Sequence, residues 1–235
     1  MSKHILALVA GIVLGLLIVA FAVFYNPFVS EQTLSPLAVT DNELVQLTYS
    51  VAAADAIIYT NDGESQVSPY PPKVEQLWEP TLRSTTATVN VLEDSRGRTV
   101  GIGVKFASKS EETSILDGKA LVDSVWHIYV PERGSLFIQQ QENYWGYIHN
   151  IVFPAYRSSG DNWRGRWLGN ITAGPGPLGT GWVAGGSGEF EGIDTAAVEA
   201  LSAQAYTIEQ GPVAMVGELT IELPPVAVST TEQPQ

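Results

Sequence analysis

The residues best suited to bind or react lie between residues 126 and 167, where aromatic side chains alternate with histidines and arginines. Trp, Tyr and Arg dominate the hot spots of protein interfaces, and an aromatic rim also suits the mouth of a barrel that binds an apolar ligand. Aromatic rings with Arg stacked over them are equally typical of a packed core and its rim, so all three interpretations stay open. The residues that we predict to bind a ligand or a partner are Trp126, His127, Tyr129, Trp145, Tyr147, Tyr156, Arg157, Trp163, Arg164, Arg166 and Trp167.

The same region does not contain a recognisable catalytic set. A period of two places His127 on the strand face opposite Trp126, and such a histidine is more often a structural residue than an acid–base group. The chain has no cysteine, and His127 and His149 lack the spacing of a metal motif. No nucleophile elbow is present and no pair of carboxylates stands out. We therefore assign no catalytic residue, no metal and no cofactor from the sequence.

Residues 5–24 form an uninterrupted apolar run near the start of the chain. As a helix rising about 1.5 Å per residue, this run is about 30 Å long and matches the hydrocarbon core of a bilayer. Lys3 precedes the run and Lys73 is the next basic residue, so the positive-inside rule predicts a cytoplasmic N-terminus. A signal peptide cleaved near Ala22 is the alternative. We expect a retained single-pass anchor in a bacterial inner membrane, with the folded part in the periplasm.

The composition excludes some partners. The 235-residue chain is acidic, with 25 Asp and Glu against 12 Lys and Arg. Such a surface repels phosphate backbones and is not attracted to anionic headgroups, so we expect no nucleic-acid binding and contact with lipid through residues 5–24. Because the chain has no cysteine, the exported domain has no disulfide and depends on its core for stability.

Short runs of Val, Ile, Thr and aromatic residues, separated by turns rich in Gly and Pro, predict strands after the anchor. The candidate strands are residues 44–51, 56–60, 86–92, 99–106, 121–130, 135–141, 164–172, 179–184, 188–192 and 213–223. Ten short strands with tight turns predict an all-β fold, an antiparallel barrel or sandwich.

Two segments depart from this pattern. Residues 61–80 contain four prolines and predict a long loop. Residues 194–203 predict a short helix, with Asp194 as its N-cap and with Val198 and Leu201 facing the core. We divide the chain into a cytoplasmic stub with a transmembrane helix (1–27), a linker (28–43), a barrel domain (44–223) and a flexible tail (224–235).

The most specific motif is a glycine-rich segment over residues 174–192. Glycines permit tight turns, so we predict a hairpin that turns at residues 185–187, with the aromatic ring after it in the core. The segment resembles the glycine-rich hairpin of allene-oxide-cyclase-like and dirigent-like barrels, in which G-T-G and a short strand precede G-G-[ST]-G-x-F-x-G. The motif positions are Gly179, Gly181, Gly185, Gly186, Gly188, Phe190 and Gly192.

This resemblance implies a single antiparallel, calycin-like β-barrel of about eight strands. Members of the superfamily include cyclases, guides of radical coupling and barrels of unknown role. No catalytic residue of an enzyme member matches a position in this chain, so the resemblance implies the fold and not an activity.

The leading functional hypothesis is a membrane-anchored, non-catalytic barrel that serves as an accessory or binding subunit of a membrane-protein assembly. An isomerase or cyclase of the allene-oxide-cyclase-like type is the alternative, because a shaped apolar cavity with one or two polar groups suffices for such chemistry. A lipocalin-like carrier of a small hydrophobic molecule is a third option. A packed lumen counts against both alternatives, and an open pocket lined by Trp126, His127 or Tyr129 together with an arginine favours them.

Overall fold

A computed structural model of the chain describes residues 2–24, 36–38, 42–52, 57–58 and 85–224. The helix α1, Ser2–Phe24, precedes the strands. The strands are β1 Glu43–Ser50, β2 Ile57–Ile58, β3 Thr86–Glu93, β4 Thr99–Lys109, β5 Leu121–Val130, β6 Gly134–Asn143, β7 Asn162–Asn170, β8 Thr172–Gly174, β9 Gly181–Gly188, β10 Asp194–Thr207 and β11 Gly211–Leu223. The predicted loop over residues 61–80, most of the predicted linker and the predicted tail beyond Pro224 lie outside the described residues.

Eight of these strands form an antiparallel ring, which confirms the predicted all-β barrel. The order around the ring is β1, β11, β10, β9, β6, β5, β4 and β3, and Thr48 of β1 pairs with Glu93 of β3 to close it. β2 continues along β3 beyond β1, and β7 and β8 pair with β10 and β6 beyond β9. Each strand of the ring has a neighbour on both sides, and the closing contact between β1 and β3 is the single pair of Thr48 and Glu93.

The glycine-rich hairpin turns later than predicted. β9 continues through Gly185 to Gly188, and the turn is formed by residues 189–193. Gly185 serves a close backbone approach and not a turn, since a Cβ there would lie 1.5 Å from the carbonyl oxygen of Phe190. The prediction that Phe190 plugs the core is confirmed, because its ring is buried in the main hydrophobic cluster.

The helix predicted over residues 194–203 is wrong, because this segment lies within strand β10. β10 pairs with β11 on one side and with β9 and then β7 on the other, and these two ladders outweigh the helix propensity of its alanines. Its inward positions are Ala197, Glu199, Leu201 and Ala203, all buried. Because Glu199 is charged and yet points inward, the alternation of apolar and polar residues along β10 is not visible in the sequence.

Two hydrophobic clusters lie inside the barrel. The first contains Leu47, Trp126, Ile128, Ile138, Val183, Phe190, Leu219 and Ile221. The second contains Ile151, Ile171, Leu201, Ala203 and Met215. Over the second cluster lies the connecting helix between β6 and β7, built from α2 Trp145–Tyr147, a π-helical turn Ile148–Val152 and α3 Phe153–Arg157. The connecting helix therefore covers the end of the barrel opposite the glycine-rich hairpin.

The N-terminal helix lies outside this core and contacts the turn Ile115–Asp117. α1 has 23 residues, a length of about 35 Å at 1.5 Å per residue, and the described side chains of residues 3–22 are exposed and almost all apolar. By length and composition α1 is a candidate for a membrane span or signal anchor. The side of the membrane on which the barrel lies stays a prediction. After α1, a short turn, Pro36–Ala38, lies against β10 and buries Leu37.

Candidate functional site

The most unusual group inside the barrel is an ionic cluster of one lysine and two glutamates. Lys105 comes from β4, Glu142 from β6 and Glu199 from β10, and all three side chains point inward at buried positions. The Lys105 ammonium lies 2.8 Å from a carboxylate oxygen of Glu142 and 2.8 Å from one of Glu199. Ions in such surroundings persist only when they are paired and hydrogen-bonded.

The hydrogen bonds around Glu199 come mainly from obligatory donors. The Tyr49 hydroxyl and the Lys105 ammonium donate to one carboxylate oxygen, while the indole N–H of Trp126 and the Gln140 amide donate to the other. The Trp126 bond is 3.0 Å long. N–H groups donate to both oxygens of Glu199. An amide NH₂ in place of either oxygen would therefore face another donor.

The hydrogen bonds around Glu142 are more adaptable. One oxygen accepts from the Ser124 hydroxyl and the Gln140 amide, and Lys105 contacts the same oxygen. The other oxygen accepts from the Tyr144 hydroxyl at 2.6 Å. A hydroxyl both donates and accepts, so Tyr144 can also face a neutral, protonated or amide form at this position.

The two carboxyls differ in acidity. Burial raises the pKa of Glu142, Lys105 counteracts this, and the charge of Glu199 raises that pKa further. Burial acts in the same direction on Glu199, but Lys105 and the hydrogen bonds from Tyr49 and Trp126 prevail and lower its pKa. The cluster therefore holds one firmly ionised carboxylate and one weaker acid.

The remaining ionisable groups of the cluster keep their protons. Burial acts to lower the pKa of Lys105, but the charges of Glu142 and Glu199 prevail and raise it. Burial and the adjacent carboxylates raise the pKa of Tyr49 and of Tyr144. An ammonium, two phenols and a carboxylate pair are groups that could transfer protons, but here they are surrounded by packed side chains.

The members of this cluster pack closely against one another. The Trp126 ring packs edge-on against Tyr49, with centroids 4.9 Å apart, and Lys105 lies 5.3 Å from the Trp126 centroid. A cleft of about 530 Å³ along β4, β5 and β6 includes Ser124 and Gln140 in its lining, and these two residues hydrogen-bond Glu142. Among the described residues, Nδ2 of Asn170 is the one buried side-chain polar atom without a partner. The cluster is thus a completed network that holds β4, β6 and β10 together.

The sequence-predicted binding residues do not form one rim. Trp126 lies inside the barrel, and His127 and Tyr129 lie on the outer surface of β5, where His127 stacks on Phe137 at 4.6 Å. Trp145 is buried in the connecting helix, 5.9 Å from the ring of His149. These four residues therefore belong to three separate environments.

The other predicted residues do come together, on β7 and the connecting helix. Trp163 and Trp167 are half-buried over the second cluster, and the Trp167 ring lies 6.1 Å from that of Tyr147. Their rings leave room for no Cβ at Gly165 or Gly169, since one there would lie 2.8 Å or 2.5 Å from an indole carbon. This aromatic layer is mainly a cover of the core.

The opposite face of β7 is charged and exposed. We call it the arginine edge; its members, all exposed, are Arg164, Arg166 and Leu168 on β7 with Tyr156 and Arg157 on α3. Alternation along the strand directs Arg164, Arg166 and Leu168 away from the tryptophans. β7 pairs with β10 on one side and has the connecting helix on the other. The arginine edge is therefore accessible to a partner.

A second exposed surface lies on the outside of β3, β4, β5, β6 and β9. The register aligns its side chains in three rows across the strands. We call this surface the apolar outer face; it comprises Val89, Val91, Ile102, Val104, Phe106, Val125, His127, Tyr129, Phe137, Gln139 and Trp182. Seven of these are large apolar residues that are at least 40% exposed. Outward positions of an antiparallel sheet are ordinarily polar, so this surface is exceptional.

Sequence reasoning missed the ionic cluster and the apolar outer face. A signal for the cluster exists in β4, where Gly101, Gly103 and Lys105 occupy successive inward positions. That signal becomes visible only when the inward face is known. The signal for the apolar outer face is that β5 has large apolar residues at both its odd and its even positions. The sequence shows this, but it does not show which of the two sets faces outward.

Comparisons with known proteins leave the family open. No family model matches the chain, and no curated protein matches it. Similar solved structures include the Diels Alderase AbmU from Streptomyces koyangensis, with 12% identity, 80% of this chain and 72% of that chain covered, and a TM-score of 0.33. Another is described as a nonspecific heme-binding cyclase of neoabyssomicin biosynthesis, with 10% identity, coverage of 78% and 69%, and a TM-score of 0.32. Similarities this distant carry no inference about activity.

Proposed function

We propose that this protein is a membrane-tethered, non-catalytic binding module that contacts a partner of a membrane assembly through its arginine edge. The observation that carries the proposal is the largely occupied interior: among the described residues, two hydrophobic clusters and a fully bonded ionic cluster lie inside the barrel, and a pocket of about 210 Å³ beside Leu47 and Phe190 remains at the hairpin end. A barrel whose inside is occupied interacts through its outside. The barrel is assigned to the extracytoplasmic side and to the allene-oxide-cyclase-like superfamily, as the anchor and the glycine motif with its inward Phe190 favour.

The composition of the arginine edge suits protein recognition. Arginine and tyrosine are enriched in binding hot spots, and Arg recognises carboxylates in a bidentate manner. Arg164 and Arg166 form no ion pair within the described part of the chain, although the protein as a whole carries 25 acidic residues. A local basic edge on an acidic protein favours an acidic contact surface on the partner.

The test is affinity purification of the full-length protein from its native membranes in mild detergent, with mass spectrometry of the proteins that accompany it. Arg164→Glu combined with Arg166→Glu reverses the charge of the edge at exposed positions. We expect this double variant to lose the partner at least about tenfold in yield, because charged hot-spot contacts become repulsive.

The matched control is Arg96→Glu combined with Lys119→Glu, which makes the same change of charge at exposed positions elsewhere. We expect this variant to keep the partner. If both double variants retain the same partners as the unmodified protein, or both lose them equally, the arginine edge is not the binding site.

A cyclase or carrier is the second candidate function, and the cleft along β4, β5 and β6 is the observation that favours it. This cleft of about 530 Å³ joins Phe106 and Val125 to the polar side chains of Ser124, Gln140 and Glu112, a combination typical of small-molecule sites. Native mass spectrometry of the full-length protein released from membranes tests it. A bound small molecule that is lost on Phe106→Ser, a change at an exposed position of the cleft, while the edge variants keep it, would replace the binding-module proposal.

A further inference from the structure

The apolar outer face differs from the remaining surface in its charge as well as its apolarity. Its three rows on β3 to β6 and β9 contain no Asp, Glu, Lys or Arg. The chain has a formal net charge of −13, so an uncharged area of this size has to be explained. On the opposite side of the ring, the outward residues of β1 and β11 include Gln46, Thr48, Glu218, Thr220 and Glu222.

We propose that the apolar outer face binds the same face of a second copy of this chain, so that the protein is a homodimer in its membrane. This inference concerns a different surface from the arginine edge and does not depend on that proposal. Two acidic chains repel one another over most orientations, and an uncharged face is the one through which they meet without placing like charges together. A twofold dimer buries the same patch on both chains, so a flat apolar sheet face is complementary to itself.

The dimensions of the face indicate what else must contribute. Five strands about 4.8 Å apart and three rows about 7 Å apart give a patch of about 20 by 14 Å. The footprint is compact beside a stable interface, which buries roughly 800 Å² of accessible surface per partner. The face by itself therefore supports only weak association, and a second element must add to it.

The membrane helix supplies that second element. Ala7, Gly11 and Gly15 are four residues apart on α1 and share one side of the helix. Small residues at this spacing let two helices approach closely in a bilayer. Confinement of both chains to one membrane also raises their effective concentration. The two contacts together make association of the full chain stronger than either contact alone.

The structure also makes these residues suitable for testing. A Cβ added at Gly11 or Gly15 meets no atom within 4 Å outside the helix's own backbone, so these positions accept a side chain without a clash in the chain itself. On the barrel, Val125 is 40% exposed within the apolar outer face, and Val216 is 45% exposed on β11, outside it. The same substitution at these two valines differs only in the surface on which it lies.

The experiment is analytical ultracentrifugation of the full-length protein over a range of protein-to-detergent ratios. The unmodified chain should give a reversible monomer–dimer equilibrium. Val125→Glu should raise the dissociation constant at least about tenfold, because it places two carboxylates in a dry interface, while Val216→Glu leaves it unchanged. Gly11→Ile combined with Gly15→Ile should raise it as well.

Three results would overturn the proposal: a monomer at every ratio, equal effects of the two valine variants, or a dimer sensitive to the glycine variants alone. Circular dichroism and thermal unfolding establish that each variant is folded. Tyr129→Ser, a milder change at another exposed position of the face, is the substitute if Val125→Glu fails to fold, and it should weaken the dimer in the same direction.

Discussion

Trp126 and Trp182 are carried by the two strands that flank β6, and each donates its indole N–H to a carboxylate. Trp126 is 0% exposed and is bonded to Glu199 in the ionic cluster, whereas Trp182 is 47% exposed on the apolar outer face and is bonded to Asp194. The interior of this barrel thus contains charge, and one side of its exterior is apolar.

The contrast between a charged interior and an apolar exterior shows which part of the molecule has its polar and apolar groups satisfied. The single Lys105 ammonium pairs with both carboxylates, and neighbouring side chains donate hydrogen bonds to each of them, so the ionic cluster needs no further partner. The apolar outer face has no comparable cover among the described residues, and apolar surface exposed to water lacks the free energy that burial would supply. Binding is therefore expected on the outside, and the interior is expected to determine stability.

The largest expected effect comes from removing the interior cation. Lys105→Met leaves Glu142 and Glu199 buried without a counter-charge and should lower the free energy of unfolding by about 3–5 kcal/mol. Urea unfolding in detergent micelles measures this loss. Part of it should return in acid, because protonated carboxyls no longer require the ammonium.

Lys109→Met is the matched control, since it lies exposed on the same strand. Its effect should remain within about 0.5 kcal/mol, as for other surface substitutions. If Lys105→Met costs no more than Lys109→Met, the ionic cluster does not stabilise the barrel and the comparison between inside and outside fails.

The two interior carboxylates should respond differently to the same change. In Glu199→Gln the amide NH₂ must face donors in either orientation, namely the Lys105 ammonium or the N–H groups of Trp126 and Gln140. We expect the free energy of unfolding to fall by about 3 kcal/mol or more. Glu142→Gln can direct its amide at the Tyr144 hydroxyl and keep the other contacts, and it should change the free energy of unfolding by about 1 kcal/mol or less. Chemical unfolding of the two variants at neutral pH measures the difference; equal losses would contradict the assignment of Glu142 as the adaptable member.

The pH dependence of Glu142→Gln sharpens this point. The pKa of Glu142 is raised in the folded protein, above about 4.3 in the unfolded chain. Its contribution to stability is therefore fully present below the unfolded pKa and is lost as the pH rises through the folded pKa. Relative to the unmodified protein, Glu142→Gln should become more stable as the pH rises from 4.5 to 8, and urea titrations across that range would show the trend. An opposite trend would mean that Glu142 is the firmly ionised carboxylate.

The smallest expected effect is that of the outer face on the fold itself. Val125→Glu, which we expect to weaken dimerisation, should change the unfolding free energy of the dilute monomer by only about 0.5 kcal/mol. Thermal unfolding at low protein concentration, with Val216→Glu as the control, tests this. A large loss of unfolding free energy for Val125→Glu would mean that the apolar outer face belongs to the folded core. The contrast between the interior and the outer face would then fail.

The sequence predicted the barrel because most of its strands alternate in a regular way. The prediction for β5, residues 121–130, agrees with the structure at both ends, and the burial of Phe190 followed from its place between glycines. Four of the five members of the arginine edge were in the predicted set, and Leu168 was not; the four were found because they are near neighbours along the chain. These are local features, and local pattern suffices to predict them.

The remaining features depend on contacts between distant parts of the chain. Lys105 and Glu199 are 94 positions apart, and nothing near either residue shows that the other lies beside it. Glu199 also interrupted the apolar pattern of β10 and led to the wrong helix. The apolar outer face required knowledge of which side of each strand faces the core, which only the closed ring provides.

The most direct test of a dry ionic cluster inside the barrel is hydrogen exchange of the two indole N–H groups, followed by NMR in one sample of the full-length protein after transfer to deuterium oxide. Trp182 serves as the internal control, because its N–H is also bonded to a carboxylate but lies on the surface. We predict that the Trp182 signal disappears at once, while the Trp126 signal persists until the barrel unfolds globally. Exchange of both signals at the same rate would mean that water enters the lumen, and it would contradict the account.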